Sequence, residues 1–386
     1  MRQVCFREAA ILSCGNPCLA GLGALCASPC GGLPQRRIIG SMKSLYLSTA
    51  RDGRKPIAIW LLICCAMVFC TLVVGGVTRL TDSGLSIVEW QPLLGAIPPL
   101  THDDWLLMFE KYRKIPQFSQ VNHDMTLEGF QFIFWWEWAH RQIGRAIGLV
   151  FFVPLLWFWV RDRIPRGYKW KLVSFLILGG LQGAMGWYMV KSGLVNDVRV
   201  SQYRLTAHLG LAFLVFGLML WTALGLLRER RDYPSTPAGV RGLALFVLLV
   251  VSVMVLSGGF VAGIRAGLAY NTFPLMNGHL IPPDLLALEP WWLNFFNNIT
   301  TVQFDHRMIA WALMALVPLL WLKVRRDAPQ AAGAANAVLL MLAVQVALGI
   351  ATLLHQVPVV LGTLHQAGAM VLFAKLIYLN HALRAD

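Results

Sequence analysis

Four histidines stand at matching places in two halves of this chain, and their type and spacing carry its strongest chemical signal. His140 and His208 lie in the first half, His306 and His365 in the second, each near one end of a long apolar segment. Their surroundings repeat. His140-Arg141-Gln142-Ile143 is echoed by His306-Arg307-Met308-Ile309, and Thr206-Ala207-His208 by Thr363-Leu364-His365. An ionisable side chain inside a membrane segment is costly and by default marks a site. Two facing helices can offer imidazoles to both faces of a haem iron, so two pairs predict two haem pockets. The one rival ligand is His355, at the end of another apolar segment; it has no counterpart in the first half.

The halves differ three residues before the first histidine of each pair, where the first has Glu137 and the second Gln303. Residues three apart share a helix face, so Glu137 is expected to point into the His140 pocket. A carboxylate there can accept protons or steady a developing cation. The bland alternative is an ion pair with Arg141 or another base. The asymmetry predicts one reactive pocket and one electron-transfer pocket. Arg141 and Arg307 follow the histidines directly, and Arg79, Arg145, Arg204 and Arg265 are near the same face. Such guanidinium groups could form bidentate pairs with haem propionates or anchor at lipid headgroups. Propionate binding is expected of at least two, with Arg79, Arg141, Arg204 and Arg307 as candidates.

The elements that must position these residues are membrane helices. The chain is 57% hydrophobic and 13% charged, with a mean hydropathy of +0.60. Runs of about 20 apolar residues cross the hydrocarbon layer, and eight are present: 57–77, 137–160, 171–190, 205–227, 242–264, 304–323, 334–354 and 361–381. The fold class is therefore an all-α membrane protein. The net charge of +14 is not a nucleic-acid signal, because the bases gather in short loops on alternate sides. Arg161, Arg163, Arg166 and Lys169 fill one such loop, and Lys323, Arg325 and Arg326 another. The positive-inside rule then puts both termini on the cytoplasmic or matrix side. All four histidines start helices that run inward, which places them near the outer face.

The repeat organises the chain. Gly75-Gly76, six residues, then Ser83-Gly84-Leu85 matches Gly258-Gly259, six residues, then Ala266-Gly267-Leu268. Gln182-x-Ala184-x-Gly186 matches Gln345-x-Ala347-x-Gly349. The small residues allow close helix approach or leave room for a flat macrocycle. Four helices return the chain to its starting side, so the expected architecture is two four-helix bundles in a parallel repeat. The first bundle is 56–228, the inner linker 229–241 and the second bundle 242–386. The outer segment 79–131 is long enough to be functional, as a lid for example. Residues 1–55 are expected to be a disordered leader, either an organelle transit peptide or an extension upstream of a start at Met42. The eight cysteines fit no zinc pattern and form no outer-loop pair, so no structural disulfide is expected.

At this point the motifs resemble a known family. Gly75-Gly76-Val77-Thr78-Arg79-Leu80-Thr81-Asp82-Ser83-Gly84-Leu85-Ser86, Asn122-His123-Asp124-Met125-Thr126-Leu127, Glu137-Trp138-Ala139-His140-Arg141 and Gln202-Tyr203-Arg204-Leu205-Thr206-Ala207-His208 look like haem A synthase. The likeness covers about 57 to 383. It is to the proteobacterial and mitochondrial form, without the outer-loop cysteine pair. It implies an enzyme that oxidises the C8 methyl of haem O to a formyl group, with water as the oxygen source, for cytochrome oxidase. It implies substrate haem at His140 and His208, haem b as cofactor at His306 and His365, and Glu137 as the catalytic carboxylate. The partners implied are haem O, an electron acceptor, the lipid bilayer and a haem O synthase. The compartment implied is a bacterial cell inner membrane, or alternatively the mitochondrial inner membrane. The competing reading is a two-haem membrane electron carrier of cytochrome b type, which leaves Glu137 against Gln303 unexplained.

Overall fold

The computed structural model describes residues 35–89, 94–193, 199–228 and 236–384, the side chains of 35–52, 94, 192 and 193 excepted. Among the described residues eight helices are long and apolar enough to cross a membrane. They are α1 (Gln35–Leu80, its apolar span Gly53–Leu80), α2 (Leu127–Val160), α3 (Lys169–Gly193) and α4 (Gln202–Leu227). The second half has α5 (Ala238–Gly263), α6 (Ile299–Asp327), α7 (Ala332–Leu354) and α8 (Val359–Leu383). In hydrocarbon each backbone group must be paired within its own segment, which leaves the helix as the available form. Leu149, Val153 and Leu156 on α2, Ile177 on α3, Leu249 and Val253 on α5 and Leu340 on α7 are exposed. They form the apolar outer faces that a bilayer would cover.

Two helix starts and one leader differ from the sequence expectation. α2 begins ten residues earlier than 137, where Thr126 caps it by accepting from the Gly129 N–H at 3.2 Å. Its extension, with Phe130, Ile133 and Phe134, is buried against Leu85, Tyr112 and Ile115 of the outer segment. His140 therefore lies well inside α2 and not among its first residues. α6 begins at Ile299, capped by Asn298. Helix also extends back to Gln35, through part of the stretch expected to be disordered; Arg36, Arg37, Lys43, Leu45, Leu47 and Arg51 there favour helix. The rest of the expected leader, 1–34, lies outside the described residues, as does most of the inner linker.

Each half is a ring of four helices. In the second, α5 packs on α6, α6 on α7, α7 on α8 and α8 on α5. In the first, α2 packs on α3 and α3 on α4. α1 closes that ring. Its Trp60 indole N–H donates to the Val150 carbonyl of α2 at 2.8 Å, and its Cys65 thiol points at the Phe216 carbonyl of α4 at 3.8 Å. The halves meet where α4 packs against α5 and α8, with Phe213 and Phe373 edge to face at 5.3 Å. Gln366 of α8 also donates to the Leu72 carbonyl of α1 at 3.0 Å.

The C-terminal ends of α1 and α5 are joined by charge. Asp82 and Arg265 sit at equivalent places after the two glycine pairs. Both are left-handed (φ 54° and 55°), and Arg265 donates to both carboxylate oxygens of Asp82. Arg79 donates to the Ala262 and Gly263 carbonyls at 2.8 and 3.3 Å, satisfying carbonyls that the end of α5 leaves without helical partners.

The long outer segment is packed and not loose. It contains helices His102–Tyr112 and Pro116–Val121. Thr101 and Asp104 form a capping box for the first of these, and hydrogen bonds from Thr101 hold the Asp104 carboxyl below its ordinary range. Tyr112 is fully buried, and burial pushes its hydroxyl up, keeping it a neutral donor. That hydroxyl donates to Gln117 Oε1 at 3.2 Å, while Gln117 Nε2 donates to the Asp82 carbonyl at 3.1 Å. The segment is thus tied to the turn that joins the halves. Its side of the membrane is directly testable. Single cysteines at the exposed positions Ser119 and Arg166 are expected to react with an impermeant thiol reagent from opposite faces, Ser119 from outside. Reaction of both from one side would overturn the orientation read from the bases.

Candidate functional site

The four histidines sit in two equivalent arrangements, and the repeated glycines explain how. His140 on α2 lies against Gly75 of α1, where an added Cβ would come within 2.7 Å of the ring. His306 on α6 lies against Gly258 of α5 in the same way, at 3.3 Å. His208 on α4 rests on Gly186 of α3 at 3.2 Å, and His365 on α8 rests on Gly349 of α7 at 2.8 Å. Cβ contacts this short force a neighbour to move, so a larger residue would displace the imidazole. The second glycine of each pair serves the joint between halves. Gly76 faces Gln366, and Gly259 faces Thr206. Of the two sequence readings of the small residues, close approach holds at these glycines, where what approaches is an imidazole, whereas Gly179 and Gly180 face open space.

The glutamines of the two Gln-x-Ala-x-Gly motifs are functional neighbours whose role sequence reasoning missed. Gln182 Nε2 donates to the His208 carbonyl at 3.0 Å and lies 3.4 Å from its ring Nε2. Gln345 Nε2 donates to the His365 carbonyl at 2.9 Å and lies 3.2 Å from its ring Nδ1. The repeat of that motif was the available signal. Ser257 Oγ lies 3.2 Å from Nδ1 of His306.

The second-half imidazoles face one another, with ring centroids 6.5 Å apart and planes 73° from parallel. A metal–imidazole bond is about 2 Å long. Two such bonds end to end, with ring half-widths of roughly 1 Å each, span about 6 Å. The separation is therefore close to what one iron held between His306 and His365 requires. Gln182 and Gln345, which reach the histidine rings, each bury a side-chain oxygen with no partner in the protein. Buried polar atoms are normally paired, so these orphans, at equivalent places in both halves, fit sites completed by a polar ligand. His355 caps the end of α7 and is exposed, away from this pairing.

Glu137 is buried, its side chain 3% exposed. One oxygen accepts from the Ser86 hydroxyl at 2.7 Å and the Ile87 N–H at 2.8 Å; the other accepts from Arg141 at 2.6 Å. Arg141 also donates to the Ile87 carbonyl at 3.0 Å. The second half repeats the clamp with one change. Arg307 donates to the carbonyl of Tyr270, the counterpart of Ile87, at 2.8 Å, and Gln303 donates to the same carbonyl at 3.3 Å. The carboxylate of the first half receives hydrogen bonds where the amide of the second gives one.

The arginines expected near propionates all have partners in the chain. Arg79 is engaged at the end of α5, Arg141 with Glu137, and Arg307 with the Thr272, Leu275 and Tyr270 carbonyls. Arg204 stacks on Tyr188 at 3.9 Å and donates to its carbonyl at 3.3 Å.

The first half is also roomier. A Cβ added at Gly144, Gly148, Gly179, Gly180 or Gly183 would meet nothing within 4 Å. The repeat places Ala310, Met314, Leu342, Ala343 and Val346 at those positions in the second half.

Residues 58–377 match the family described as Cytochrome oxidase assembly protein. A protein of Nitrosospira multiformis named heme A synthase is 59% identical over 336 residues, covering 86% of this chain and 94% of its own length. Proteins of the same name from Nitrosomonas eutropha and Parvibaculum lavamentivorans are 56% and 49% identical, over 86% and 85% of this chain and 95% and 94% of theirs. Matched over most of its length, through both sets of helices, the chain belongs to the haem A synthase family.

Proposed function

We propose that this protein is a haem A synthase of a bacterial inner membrane, an oxidoreductase that converts the C8 methyl of haem O to a formyl group. The observation that carries this reading is the pair of equivalent two-histidine sites, only one of which has a buried carboxylate beside it. His306 and His365 would hold haem b, which when bound supplies a route for electrons. His140 and His208 would hold the substrate haem O, and the glycine-lined first half has more room for a group that must enter and leave. The farnesyl tail of the substrate would lie along an apolar face of that half.

The chain's own part in the chemistry centres on Glu137. Water supplies the formyl oxygen, and two successive oxidations of the methyl carbon release protons as well as electrons. Glu137, held by Ser86, Ile87 and Arg141, is a fixed carboxyl group beside His140 that can take such a proton or stabilise positive charge at the carbon. Arg79, Arg141, Arg204 and Arg307 remain candidates for propionates, provided that they exchange a carbonyl partner for one. The electrons must leave to an acceptor, and a haem O synthase would supply the substrate.

The test is pigment extraction. Membranes from cells that make haem O and express this protein are expected to contain haem A. Haem b alone, with haem O unchanged, would reduce the protein to a two-haem electron carrier. A second test addresses the seat of His140. Gly75→Ala inserts a methyl group where no space exists, an overpacking that costs about 1–3 kcal/mol. It is expected to weaken haem O binding about tenfold or more while haem b stays bound. Unchanged haem O affinity would show that His140 does not ligate the substrate.

A further inference from the structure

The two helices that carry His140 and His306 are equivalent, but their imidazoles are not held alike. Ser257, the residue before Gly258, places its hydroxyl 3.2 Å from His306 Nδ1. The repeat puts Val74 at that place in the first half, and the buried Nδ1 of His140 has no side-chain partner. The His140 ring is met instead by the backbone carbonyl of Thr71 on α1. On the other side of each site Gln182 and Gln345 both bind the carbonyl of their histidine, Gln182 lying near ring Nε2 of His208 and Gln345 near ring Nδ1 of His365. For His140 and His306, the side-chain distinction at the imidazole is Ser257 against Val74.

We propose that Ser257 is the positioning residue that makes the second-half haem a resident group, and that Val74, which has no hydroxyl, leaves the first-half ligand without a side-chain partner so that its haem can be exchanged. This rests on the assignment of haem b to His306 and His365. A neutral imidazole that binds iron through Nε2 carries its proton on Nδ1. The Ser257 oxygen accepts that proton's hydrogen bond, which fixes the tautomer and ring plane before haem arrives. It also raises the basicity of Nε2, which strengthens the bond to ferric iron. Val74 can do neither. The difference matches the tasks of the two sites, since a cofactor must stay and a product must leave.

The experiment uses full-length protein purified in detergent, with apomyoglobin as an acceptor for released haem. Ser257→Val gives the second half the residue of the first and adds the bulk of one heavy atom, as Ser257→Thr also does. It is expected to weaken haem b retention about 10–100-fold, the range for loss of a partner that orients a metal ligand, and to raise the haem b midpoint potential. Ser257→Thr keeps the hydroxyl and is expected to restore both. Should the valine variant express poorly, Ser257→Ala removes the hydroxyl with less bulk and should show the same two changes. Retention and potential unchanged in Ser257→Val or Ser257→Ala would overturn the proposal, as would a loss that threonine does not repair. His306→Ala separates the two levels of argument. If it keeps its haem b, the ligand assignment itself is wrong; if it loses haem b while Ser257→Val is normal, only the role of Ser257 fails.

Discussion

Replacement of His306 or His365 by Ala is expected to remove the low-spin haem b spectrum from the purified protein altogether. The two rings stand 6.5 Å apart, the spacing at which one iron bridges them, and each is seated on a glycine of the neighbouring helix. Loss of either leaves a single axial ligand and a cavity in place of the other. The seats themselves belong to α5 and α7, so they remain in both variants. The protein should therefore insert in the membrane and keep its helices, which circular dichroism would verify. A normal low-spin spectrum in both variants would sink the assignment. His355 does not offer an easy substitute, because it is exposed at the end of α7.

The spans and the histidine pairing were legible because both leave periodic, repeated marks. Apolar length marks a spanning helix whatever it packs against. A histidine in such a segment is rare enough to be noticed, and its recurrence in a second half removes most accidental readings. The starts of α2 and α6 were not legible, because hydropathy marks where hydrocarbon ends and not where a helix ends. Leu127 to Trp136 continues the helix outside the apolar span, held by Thr126 and by contact with the outer segment. The function of Gly75 and Gly76 was half legible. Two adjacent small residues announce close approach, but only packing shows that one faces an imidazole and the other the opposite half. The arginines were least legible. Arg141, Arg307 and Arg79 all donate to backbone carbonyls, and a carbonyl acceptor is available at every residue, so it leaves no mark in a sequence. Asp82 and Arg265 show the same limit from another side. Each is an ordinary surface residue until the repeat brings the two turns together with opposite charge.

Glu137→Gln is expected to lower haem A formation by roughly 10²–10⁴-fold, the contribution typical of a positioned general base, with both haem sites still able to bind. The substitution keeps size and gives the first half the side chain that Gln303 provides in the second. Its consequences for structure can be bounded from the contacts. The amide oxygen can still accept from Ser86 and the Ile87 N–H, which now bind Oε2 at 2.7 and 2.8 Å. The amide nitrogen would then face Arg141, in place of the oxygen that accepts at 2.6 Å. Arg141 keeps the Ile87 carbonyl at 3.0 Å, and Arg307 clamps Tyr270 beside a glutamine in the same way. The second half thus demonstrates that this clamp tolerates an amide. A role confined to holding the outer segment predicts modest loss of turnover, or poor expression and lost haem together. A role in proton handling predicts that folding and haem b are spared while turnover falls. Haem A formation near normal in well-folded Glu137→Gln protein would remove the carboxylate from the chemistry and leave it as an anchor for Ser86 and Ile87.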